Sequence, residues 1–399
     1  MASGAGRGAV YLHLMLLRAG YDSWLLHHDD KTMVEKQIMK YSVINHILRA
    51  IYYRLERLFI KYFFHDHKDI IFSIGKNVSF LNEKDLKNFD VIHIHWMTNL
   101  KSLQKILNSD SKIFWTPRDT WPMTAGCHIA PAIGCDEYKN ACQNCPLPYK
   151  KNRKFLKKIQ KTKHELMKSK KIIFSPMNQK TKKIISSSKI LSNQKAIVIP
   201  QAIPVTKYSQ DTLIHFSFIQ VVKNLRSEGK KLILFSALWL NDANKGFQHA
   251  VDLLNYLDDS WILVALGDYS QLPNLVLKNN RIKFLGLVSD PTEVAEIYLL
   301  SDIGLVFSKY ESFCKVAAEM LFHNLPVICY KNSGVDELIP ASLKSILVYD
   351  QKTSVEIISE SLTKLVCLSN DERGALSEIV ESNNKSYLNS IIDMYEHEK

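Results

Sequence analysis

The chain has 399 residues, of which 46% are hydrophobic and 23% are charged, so it has the composition of a globular protein with two or three domains. This balance excludes a disordered chain, a collagen-like chain and a small disulfide scaffold. No run of 18 apolar residues is present, so we expect no membrane-spanning helix. Residues 1–8 lack the apolar stretch of a secretory signal, and seven cysteines without such a signal favour a reducing cytosol.

Positive charge is concentrated in the first half of the chain. Residues 1–200 hold 34 Lys and Arg against 15 Asp and Glu, whereas residues 201–399 hold 18 against 25. The two halves therefore differ by sign of charge. A basic half favours an anionic partner such as a nucleic acid, an anionic lipid or a phosphorylated substrate.

Short apolar runs alternate with amphipathic stretches along the whole chain. The runs that predict buried strands are 89–95, 112–115, 171–175, 196–199, 231–237, 261–266, 282–285, 303–307 and 327–330. Helical windows follow in the second half at 247–257, 294–300 and 315–322. Alternation of this kind predicts two doubly wound α/β domains with parallel sheets. Two prolines and the change of charge sign place the joint near residues 199–204, and the cleft between the domains is the expected active site.

Residues 308–320 carry the sharpest chemical signal. An apolar strand ends there in a polar turn that opens a helix, whose first N–H groups favour an anion. Two carboxylates, Glu311 and Glu319, lie eight positions apart, and carboxylates suit sugar hydroxyls because they accept strong hydrogen bonds. Ordinary solvated glutamates on a surface helix are the alternative interpretation.

This segment closely resembles the E-x7-E signature of the retaining GT-B glycosyltransferases of family 4. The resemblance extends over nearly the whole chain, and Lys245-Gly246 is similar to the Lys-Gly of that family. Other similar positions are 3–9, 90–96, 284–286, 290, 298, 301–302, 326–328, 332–334 and 336–338. Residues 119–121 and 124–128 resemble a subgroup found among capsule, exopolysaccharide and O-antigen transferases.

The resemblance implies a GT-B fold, with two Rossmann-like doubly wound domains facing a central cleft. The implied domains are an acceptor-binding domain at 1–204, a nucleotide-sugar-binding domain at 205–380 and a helix at 381–399 that crosses back to the first domain. The implied activity is transfer of a hexose-type sugar from a nucleotide diphosphate sugar, with retention of configuration and without a metal. The acceptor would be a lipid-linked or growing bacterial surface polysaccharide.

The resemblance also implies residue roles. Glu311 would contact the donor sugar, Glu319 would hold the ribose, and Lys245 would neutralise the leaving diphosphate. The catalytic residues expected in this way are Glu311, Lys245, Arg118 and His95. The expected donor-binding residues are Glu311, Ser312, Phe313, Cys314, Glu319, Lys245, Gly246, Gly4 and Gly6. For Lys245 a solvated surface lysine is the alternative, and for His95 a hydrogen-bonded core histidine.

The sequence departs from the family at several positions. Arg118 stands where the subgroup has His, which exchanges a neutral ring for a permanent charge that can still bind phosphate. Cys314 and Asn324 stand where Gly is commoner, and Asn tolerates the left-handed conformation. An Arg of the family is absent near residues 238–240. No strand precedes the glycine-rich turn at residues 3–9, so we expect either a late start of the sequence or a missing short first strand in the first sheet.

Four cysteines, Cys127, Cys135, Cys142 and Cys145, fall within 19 residues. Thiolates at this spacing can close a structural zinc site that pins a long loop. One or two disulfides, or four reduced thiols, are the alternatives.

Residues 51–64 place Arg54, Arg57 and Lys61 along one face of a helix that is otherwise apolar and aromatic. Such a helix can lie on an anionic membrane surface, or it can be buried with one wet edge. Residues 150–171 add 11 Lys and Arg against one Glu. We therefore expect a cytoplasmic protein, peripheral on the inner face of the bacterial plasma membrane.

Three other functions compete with glycosyl transfer. One is a non-catalytic GT-B partner in glycan assembly, which the departures at Arg118 and Cys314 favour. Another is a GT-B nucleotide-sugar epimerase or phosphorylase, and the third is a basic nucleic-acid-binding protein. The acidic second half and the E-x7-E segment argue against nucleic acid as a partner. The base, sugar, acceptor and linkage do not follow from the sequence.

Overall fold

The computed structural model describes residues 4–26, 38–39, 43–64, 72–75, 79, 81, 83–191, 193–204, 217–366 and 368–398. The chain divides into two compact units. The first unit is Met1–Gln201 with Ser386–Lys399, and the second is Ala202–Lys385. Both are built on parallel sheets, which confirms the expected α/β class.

The first unit alternates helices and strands. Its elements are α1 (Gly4–Arg18), β1 (Leu25–Leu26), β2 (Ile38–Met39), α2 (Val43–Phe63), α3 (Glu83–Leu86), β3 (Val91–Ile94), α4 (Leu100–Leu107), β4 (Lys112–Trp115), α5 (Arg153–Lys168), β5 (Ile172–Phe174), α6 (Gln179–Ser187) and β6 (Lys195–Ala196). The main sheet has the order β3-β4-β5-β6 with all neighbours parallel, and β1 pairs with β2 in a separate parallel ladder.

Local sequence explains where the helices of this unit begin. Asn99 precedes α4 and accepts a hydrogen bond from Ser102 N at 2.9 Å, and Asn178 does the same for Thr181 N at 2.8 Å before α6. Both satisfy amides that a helix leaves unpaired at its first turn. Between β4 and α5 lies a long segment with four short 3₁₀ turns, which holds the cysteines.

The second unit has a six-stranded sheet. Its elements are α7 (Ser217–Ser227), β7 (Lys231–Trp239), α8 (Phe247–Leu253), β8 (Trp261–Asp268), α9 (Asn274–Leu277), β9 (Ile282–Gly286), α10 (Pro291–Leu300), β10 (Ile303–Val306), α11 (Lys315–Phe322), β11 (Val327–Tyr330), α12 (Lys344–Leu347), β12 (Val348–Tyr349) and α13 (Val355–Val366). The strand order is β12-β11-β10-β7-β8-β9, and every pair is parallel.

This strand order is that of a doubly wound Rossmann-like sheet. The chain runs outward from β7 to β9, returns to the other side of β7 with β10, and continues outward to β12. All residues of β10 and β11 are buried, because helices cover both faces of a parallel sheet. The order therefore reverses between β7 and β10, where such sheets bind ligands at the carboxyl ends of their strands.

The last helix, α14 (Asn370–His397), begins in the second unit, and its final residues belong to the first unit. There Tyr395 donates or accepts a hydrogen bond with His93 Nδ1 at 2.6 Å and packs on Phe114 with ring centroids 4.9 Å apart. The expected domain limits near residues 204 and 380 stay a prediction, since residues 205–216 lie outside the described residues.

One expected element is wrong. Residues 3–9 were expected to form a glycine-rich turn before a helix at Ala9, but α1 already begins at Gly4, and Ser3 lies outside the described residues. Glycine permits a turn without requiring one, and helical φ and ψ angles are open to it as to other residues. Gly4 and Gly6 therefore lie in the first turns of the helix.

Among the described residues, no helix is long and apolar enough to cross a membrane.

Candidate functional site

The reversal of strand order in the second unit brings two loops together. One loop follows β7 and ends at Gly246, and the other follows β10 and ends at Cys314. Because β7 and β10 are adjacent and parallel, both loops leave the same edge of the sheet.

An ion pair joins the two loops. Lys245 Nζ lies 2.5 Å from Glu311 Oε1, and the two side chains are 30% and 13% exposed. Burial acts to lower the pKa of Lys245, but the negative charges of Glu311 and Asp242 and the hydrogen bond to Glu311 together outweigh it and hold that pKa above its ordinary value. Lys245 is therefore a fixed cation rather than a solvated lysine.

Asn244 fastens the same two loops through its side chain. Its Nδ2 donates to Tyr310 O at 3.0 Å, and its Oδ1 accepts from Tyr310 N at 3.1 Å. Its own carbonyl accepts from Lys309 N at 2.9 Å. These three bonds flank the ion pair, so the buried amide of Asn244 sets the separation of Lys245 and Glu311.

Gly246 allows the first loop to approach β10. It has φ of 74°, and a Cβ at this position would lie 2.7 Å from Phe307 O. Both the left-handed backbone and the close approach require glycine here. The glycine of the Lys-Gly pair is therefore required by the local backbone geometry. The sequence alone indicates the pair only through its resemblance to the family.

The second loop enters α11 through a strained residue. Cys314 precedes the helix with φ of 63° and ψ of 78°, a conformation that glycine adopts at less cost. Burial, followed by the charge of Glu311, raises the pKa of the Cys314 thiol to about 12, so it stays protonated at neutral pH. Ser312 and Phe313 lie in the same turn, and Phe313 is buried.

Glu319 lies on α11 itself. Its Oε2 accepts a hydrogen bond from Tyr298 OH at 3.2 Å, and its Oε1 lies 3.1 Å from Lys315 Nζ. Burial raises the pKa of Tyr298 well above its usual range, so the phenol remains a donor. After burial, the charges of Glu311 and Glu319 also act to raise the pKa of the Cys314 thiol, so both carboxylates lie near this residue.

Arg118 and His95 form a second group at the carboxyl edge of the four-stranded sheet. Arg118 Nη2 donates to His95 Nδ1 at 2.9 Å, which makes Nδ1 the unprotonated nitrogen of that ring. Arg118 Nη1 also donates to Gln201 Oε1 and to Met177 Sδ. Gly8 of α1 lies against this group, since a Cβ there would be 2.7 Å from Arg118 Nη2 and from Gln201 Oε1.

Burial determines the charges of this second group. It lowers the pKa of His93 to about 3, and it lowers the pKa of His95 well below its usual range, in each case with help from neighbouring positive charge. Burial lowers the pKa of Arg118 to about 10. At neutral pH both imidazoles are therefore neutral, and Arg118 carries the positive charge.

Asp119 is the centre of a hydrogen-bond network next to Arg118. Its Oδ2 accepts from Trp96 Nε1 at 3.0 Å and from His128 Nδ1 at 2.7 Å, and its Oδ1 accepts from Trp121 N at 2.8 Å. The buried Lys163 extends this network. Its Nζ donates to Trp121 O at 2.7 Å and to Thr124 O at 2.9 Å.

The four cysteines expected to bind zinc are free thiols. In the described part of the chain, which includes all four, no group of three or more His, Cys, Asp or Glu is arranged to hold a metal ion. Burial raises the pKa of Cys142 to about 11 and that of Cys145 to about 12. Structural zinc at these four cysteines therefore stays a prediction.

Several residues of these two groups escape sequence reasoning. Gln201 contacts the predicted site residue Arg118, and Asn244 bonds to Lys309 and Tyr310 next to Glu311, but nothing in the spacing of Gln201 and Asn244 marks them. Gly8 was marked only as part of the glycine-rich segment at residues 3–9. Asn244 directly precedes the Lys-Gly pair, which was the one signal available for it. Gly4 and Gly6, expected to bind the donor, lie in α1 of the first unit.

The two Rossmann-like units with parallel sheets define a protein of the GT-B fold. Similar solved structures include sucrose-phosphate synthase from Thermosynechococcus elongatus, at 12% identity and a TM-score of 0.63 over 99% of this chain and 94% of that one. WaaG, a glycosyltransferase involved in lipopolysaccharide biosynthesis, has 15% identity and a TM-score of 0.58 over 99% and 97%. HepE from Anabaena, in complex with UDP and glucose, has 13% identity and a TM-score of 0.58 over 98% of this chain and 95% of that one. Identities this low show the shared fold alone.

The sequence match is confined to the second unit. Residues 218–382 match the family described as Glycosyl transferases group 1, and this match supports a glycosyltransferase. A comparison with curated protein sequences gives no significant match. The matched segment contains both loops of the ion pair.

Lys163 generates a prediction about pH. Burial lowers its pKa to about 7, whereas an unfolded lysine titrates near about 10.4. Between these values the unfolded chain binds the extra proton, so the free energy of unfolding rises with pH by up to about 1.4 kcal/mol per unit. Lys163→Met has no titrating group at this position. Relative to this variant, the free energy of unfolding of the wild type is expected to rise by about 1 kcal/mol between pH 7.5 and 8.5.

Urea unfolding of both proteins at the two pH values measures this difference directly. The thiols with raised pKa titrate in both proteins and cancel in the comparison. If the free energies of unfolding of the two proteins change equally from pH 7.5 to 8.5, the result contradicts the lowered pKa of Lys163.

Proposed function

We propose that the chain is a retaining, metal-independent glycosyltransferase that moves a hexose-type sugar from a nucleotide diphosphate sugar to a lipid-linked or growing bacterial surface polysaccharide. The observation that carries the proposal is the Lys245–Glu311 ion pair at the reversal of strand order, within the segment that matches the glycosyltransferase family.

The second unit is proposed to bind the donor. Lys245 supplies a fixed positive charge next to the start of α11, whose first-turn N–H groups also favour the diphosphate. Glu311 accepts hydrogen bonds from the sugar hydroxyls, and Glu319, held by Tyr298, accepts them from the ribose. Gly246, Ser312, Phe313 and Cys314 shape the walls of this site.

The proposed transfer needs no protein nucleophile. The bond between the anomeric carbon and the diphosphate oxygen breaks, and the acceptor hydroxyl oxygen bonds to that carbon on the same face. The leaving phosphate oxygen takes the hydroxyl proton. Lys245 stabilises the negative charge that develops on the diphosphate, so the lysine performs the role of the cation in this account.

The first unit is proposed to bind the acceptor. Arg118 carries a positive charge that suits a phosphate, and the neutral His95 beside it keeps a ring nitrogen for hydrogen bonding. Gly4 and Gly6 remain proposed donor contacts by resemblance alone. The UDP and glucose bound by HepE support a UDP-sugar donor, and the biosynthetic role of WaaG supports a surface glycan as acceptor.

The apolar face of α2 supports a membrane-bound acceptor. Five residues at helical spacing form a stripe that is 51–71% exposed. They are Ile47, Ile51, Leu55, Leu58 and Tyr62. The opposite side is fixed to the unit, because Glu56 Oε1 accepts from Ile74 N at 2.6 Å and Phe59 packs on Phe155 of α5 at 4.8 Å. These exposures favour the surface helix over the alternative of a buried helix with one wet edge.

Positive charge flanks the exposed stripe. Arg54, Arg57 and Lys61 lie along one side of it and are exposed. The adjoining helix α5 adds exposed lysines, among them Lys154 and Lys158. An apolar stripe beside basic residues fits the surface of an anionic bilayer, where each basic residue near the surface contributes about 1 kcal/mol. We therefore propose a peripheral protein on the inner face of the plasma membrane.

The donor site is tested by a thermal-shift screen against UDP, GDP, ADP, CMP and TDP with their common sugars. One nucleotide family is expected to stabilise the protein, by about 2.7 kcal/mol at 100 times the dissociation constant. Lys245→Met is expected to lose this stabilisation, because the diphosphate then lacks its cation. Lys245→Arg, which keeps the charge, should retain part of it.

The matched control is Lys223→Met. Lys223 also forms an ion pair, with Glu296 at 2.6 Å, in the same unit, but on the helices α7 and α10. It is expected to leave the ligand shift unchanged. An equal loss of the nucleotide-induced stabilisation in Lys245→Met and Lys223→Met would contradict the donor assignment. The absence of a shift with any nucleotide, in a protein that melts cooperatively, would also contradict it and favour a non-catalytic partner.

The membrane surface is tested with Leu55→Glu/Leu58→Glu. The wild type is expected to sediment with vesicles of phosphatidylglycerol and phosphatidylethanolamine but much less with phosphatidylcholine, and the variant is expected to bind at least about tenfold more weakly. Leu275→Glu/Leu277→Glu, which changes two exposed leucines of α9, serves as control.

Equal vesicle binding by all three proteins would contradict the role of α2. Loss of a dimer in the α2 variant, measured by size-exclusion chromatography with light scattering, would show instead that a second copy of the chain covers the stripe.

A further inference from the structure

We infer that Trp96 is the stacking platform for a sugar ring of the acceptor. The inference rests on the proposed function, since it assigns a residue to the acceptor side of the same reaction. The side chain of Trp96 is both solvent-exposed and held by a hydrogen bond.

Trp96 is exposed but its indole is held in place. The side chain follows β3 and is 50% exposed, yet its Nε1 donates to Asp119 Oδ2 at 3.0 Å. All of residues 83–132 are described, and within them Trp96 is the only large hydrophobic side chain that is exposed. An isolated exposed aromatic is ordinary, but one that is anchored by a hydrogen bond has lost the rotamer freedom that binding would otherwise cost.

The anchor itself is rigid. Asp119 also accepts from Trp121 N at 2.8 Å and from His128 Nδ1 at 2.7 Å, and His128 is 4% exposed. The ring of His128 lies at 66° to the Trp96 ring, with centroids 6.5 Å apart, so it supports the indole from the side. Because three donors converge on one carboxylate, the orientation of Trp96 is set before any ligand arrives.

The location agrees with a ligand site. Trp96 lies just beyond the carboxyl end of β3, and Asp119 lies beyond the carboxyl end of the neighbouring β4. This is the edge at which α/β sheets bind ligands. Arg118 and His95, the pair proposed to meet a phosphate of the acceptor, are the chain neighbours of Asp119 and Trp96.

The polarity around the ring identifies the class of ligand. A single exposed aromatic, hydrogen-bonded to Asp119 and adjacent in the chain to His95, does not offer the continuous apolar area that a lipid chain or a protein core contact needs. A pyranose ring has one face of C–H groups and a rim of hydroxyls, so it matches an aromatic face with polar groups at its border. The platform therefore fits a sugar, while the lipid part of the acceptor is left to α2.

Trp24 provides a matched control. It is 45% exposed and its Nε1 also donates to an aspartate, Asp22 Oδ1, at 3.0 Å. It precedes β1, however, and does not lie at the carboxyl edge of the four-stranded sheet. The exposed fraction and the length of the indole hydrogen bond are thus similar in the two residues, whereas the location and the network behind the aspartate differ.

The first experiment is a titration of ¹⁵N-labelled protein with the methyl glycosides of glucose, galactose, mannose, rhamnose and N-acetylglucosamine, followed through the indole N–H signals. At least one glycoside is expected to shift the Trp96 signal saturably and to leave the Trp24 signal unmoved. Methyl glycosides carry no alkyl chain, so α2 does not contribute. Equal shifts of both signals, or no shift of Trp96 with any glycoside, overturn the inference.

The second experiment measures transfer from the nucleotide sugar that stabilises the protein to the methyl glycoside that shifts the Trp96 signal, with Trp96→Ala, Trp96→Phe and Trp24→Ala. Trp96→Ala is expected to raise the acceptor KM about tenfold with the donor KM unchanged, because one stacked ring is lost. Trp96→Phe keeps an aromatic ring without the hydrogen bond to Asp119, so its acceptor KM should lie between those of the wild type and Trp96→Ala. The acceptor KM of Trp24→Ala should match that of the wild type. A Trp96→Ala variant with a normal acceptor KM contradicts the inference.

The donor measurements separate this inference from the proposed function. If the wild type binds no nucleotide sugar, the proposed function fails whatever Trp96 does in the glycoside titration. If donor binding is normal and Trp96 behaves like Trp24, only the inference fails.

Discussion

The ion pair between Lys245 and Glu311 depends on the order of the strands in the second sheet. Only because β10 returns to the side of β7 do the two loops leave the sheet next to each other. Asn244 then fixes their separation with hydrogen bonds to Tyr310, and Gly246 permits the close approach to Phe307. A cation and a carboxylate from distant parts of the chain thus meet where a charged ligand is best stabilised by both loops.

Burial rather than composition decides which groups are charged at the two sheet edges. It keeps His93 and His95 neutral and the Cys314 thiol protonated at neutral pH, whereas Lys245 keeps its charge through Glu311. The large positive charge of the first half is instead distributed over exposed helices such as α2 and α5. The charge of the proposed donor site and the charge proposed for surface attraction are therefore carried by separate residues.

The sequence predicted the elements with continuous apolar character well. The runs at 112–115 and 327–330 coincide with β4 and β11, because strands covered on both faces need no alternation. It failed where backbone conformation or a partner distant in sequence decides the outcome. The helical start at Gly4 replaced an expected turn, and the contact of Gln201 with Arg118 joins residues 83 positions apart. The solvent-facing side of α2 could not be predicted either, since an apolar stripe reads the same whether it is buried or exposed.

Hydrogen exchange measured by mass spectrometry, with and without the nucleotide sugar that stabilises the protein, tests the central claim most directly. If the donor lies between the two loops, its binding slows amide exchange in peptides covering residues 240–246 and 308–319, because their backbone is held in place by the ligand. Peptides from α9 serve as an internal reference with unchanged exchange. Protection confined to other segments, with both loops unaffected at saturating ligand, would contradict the placement of the donor and with it the role of Lys245 and Glu311.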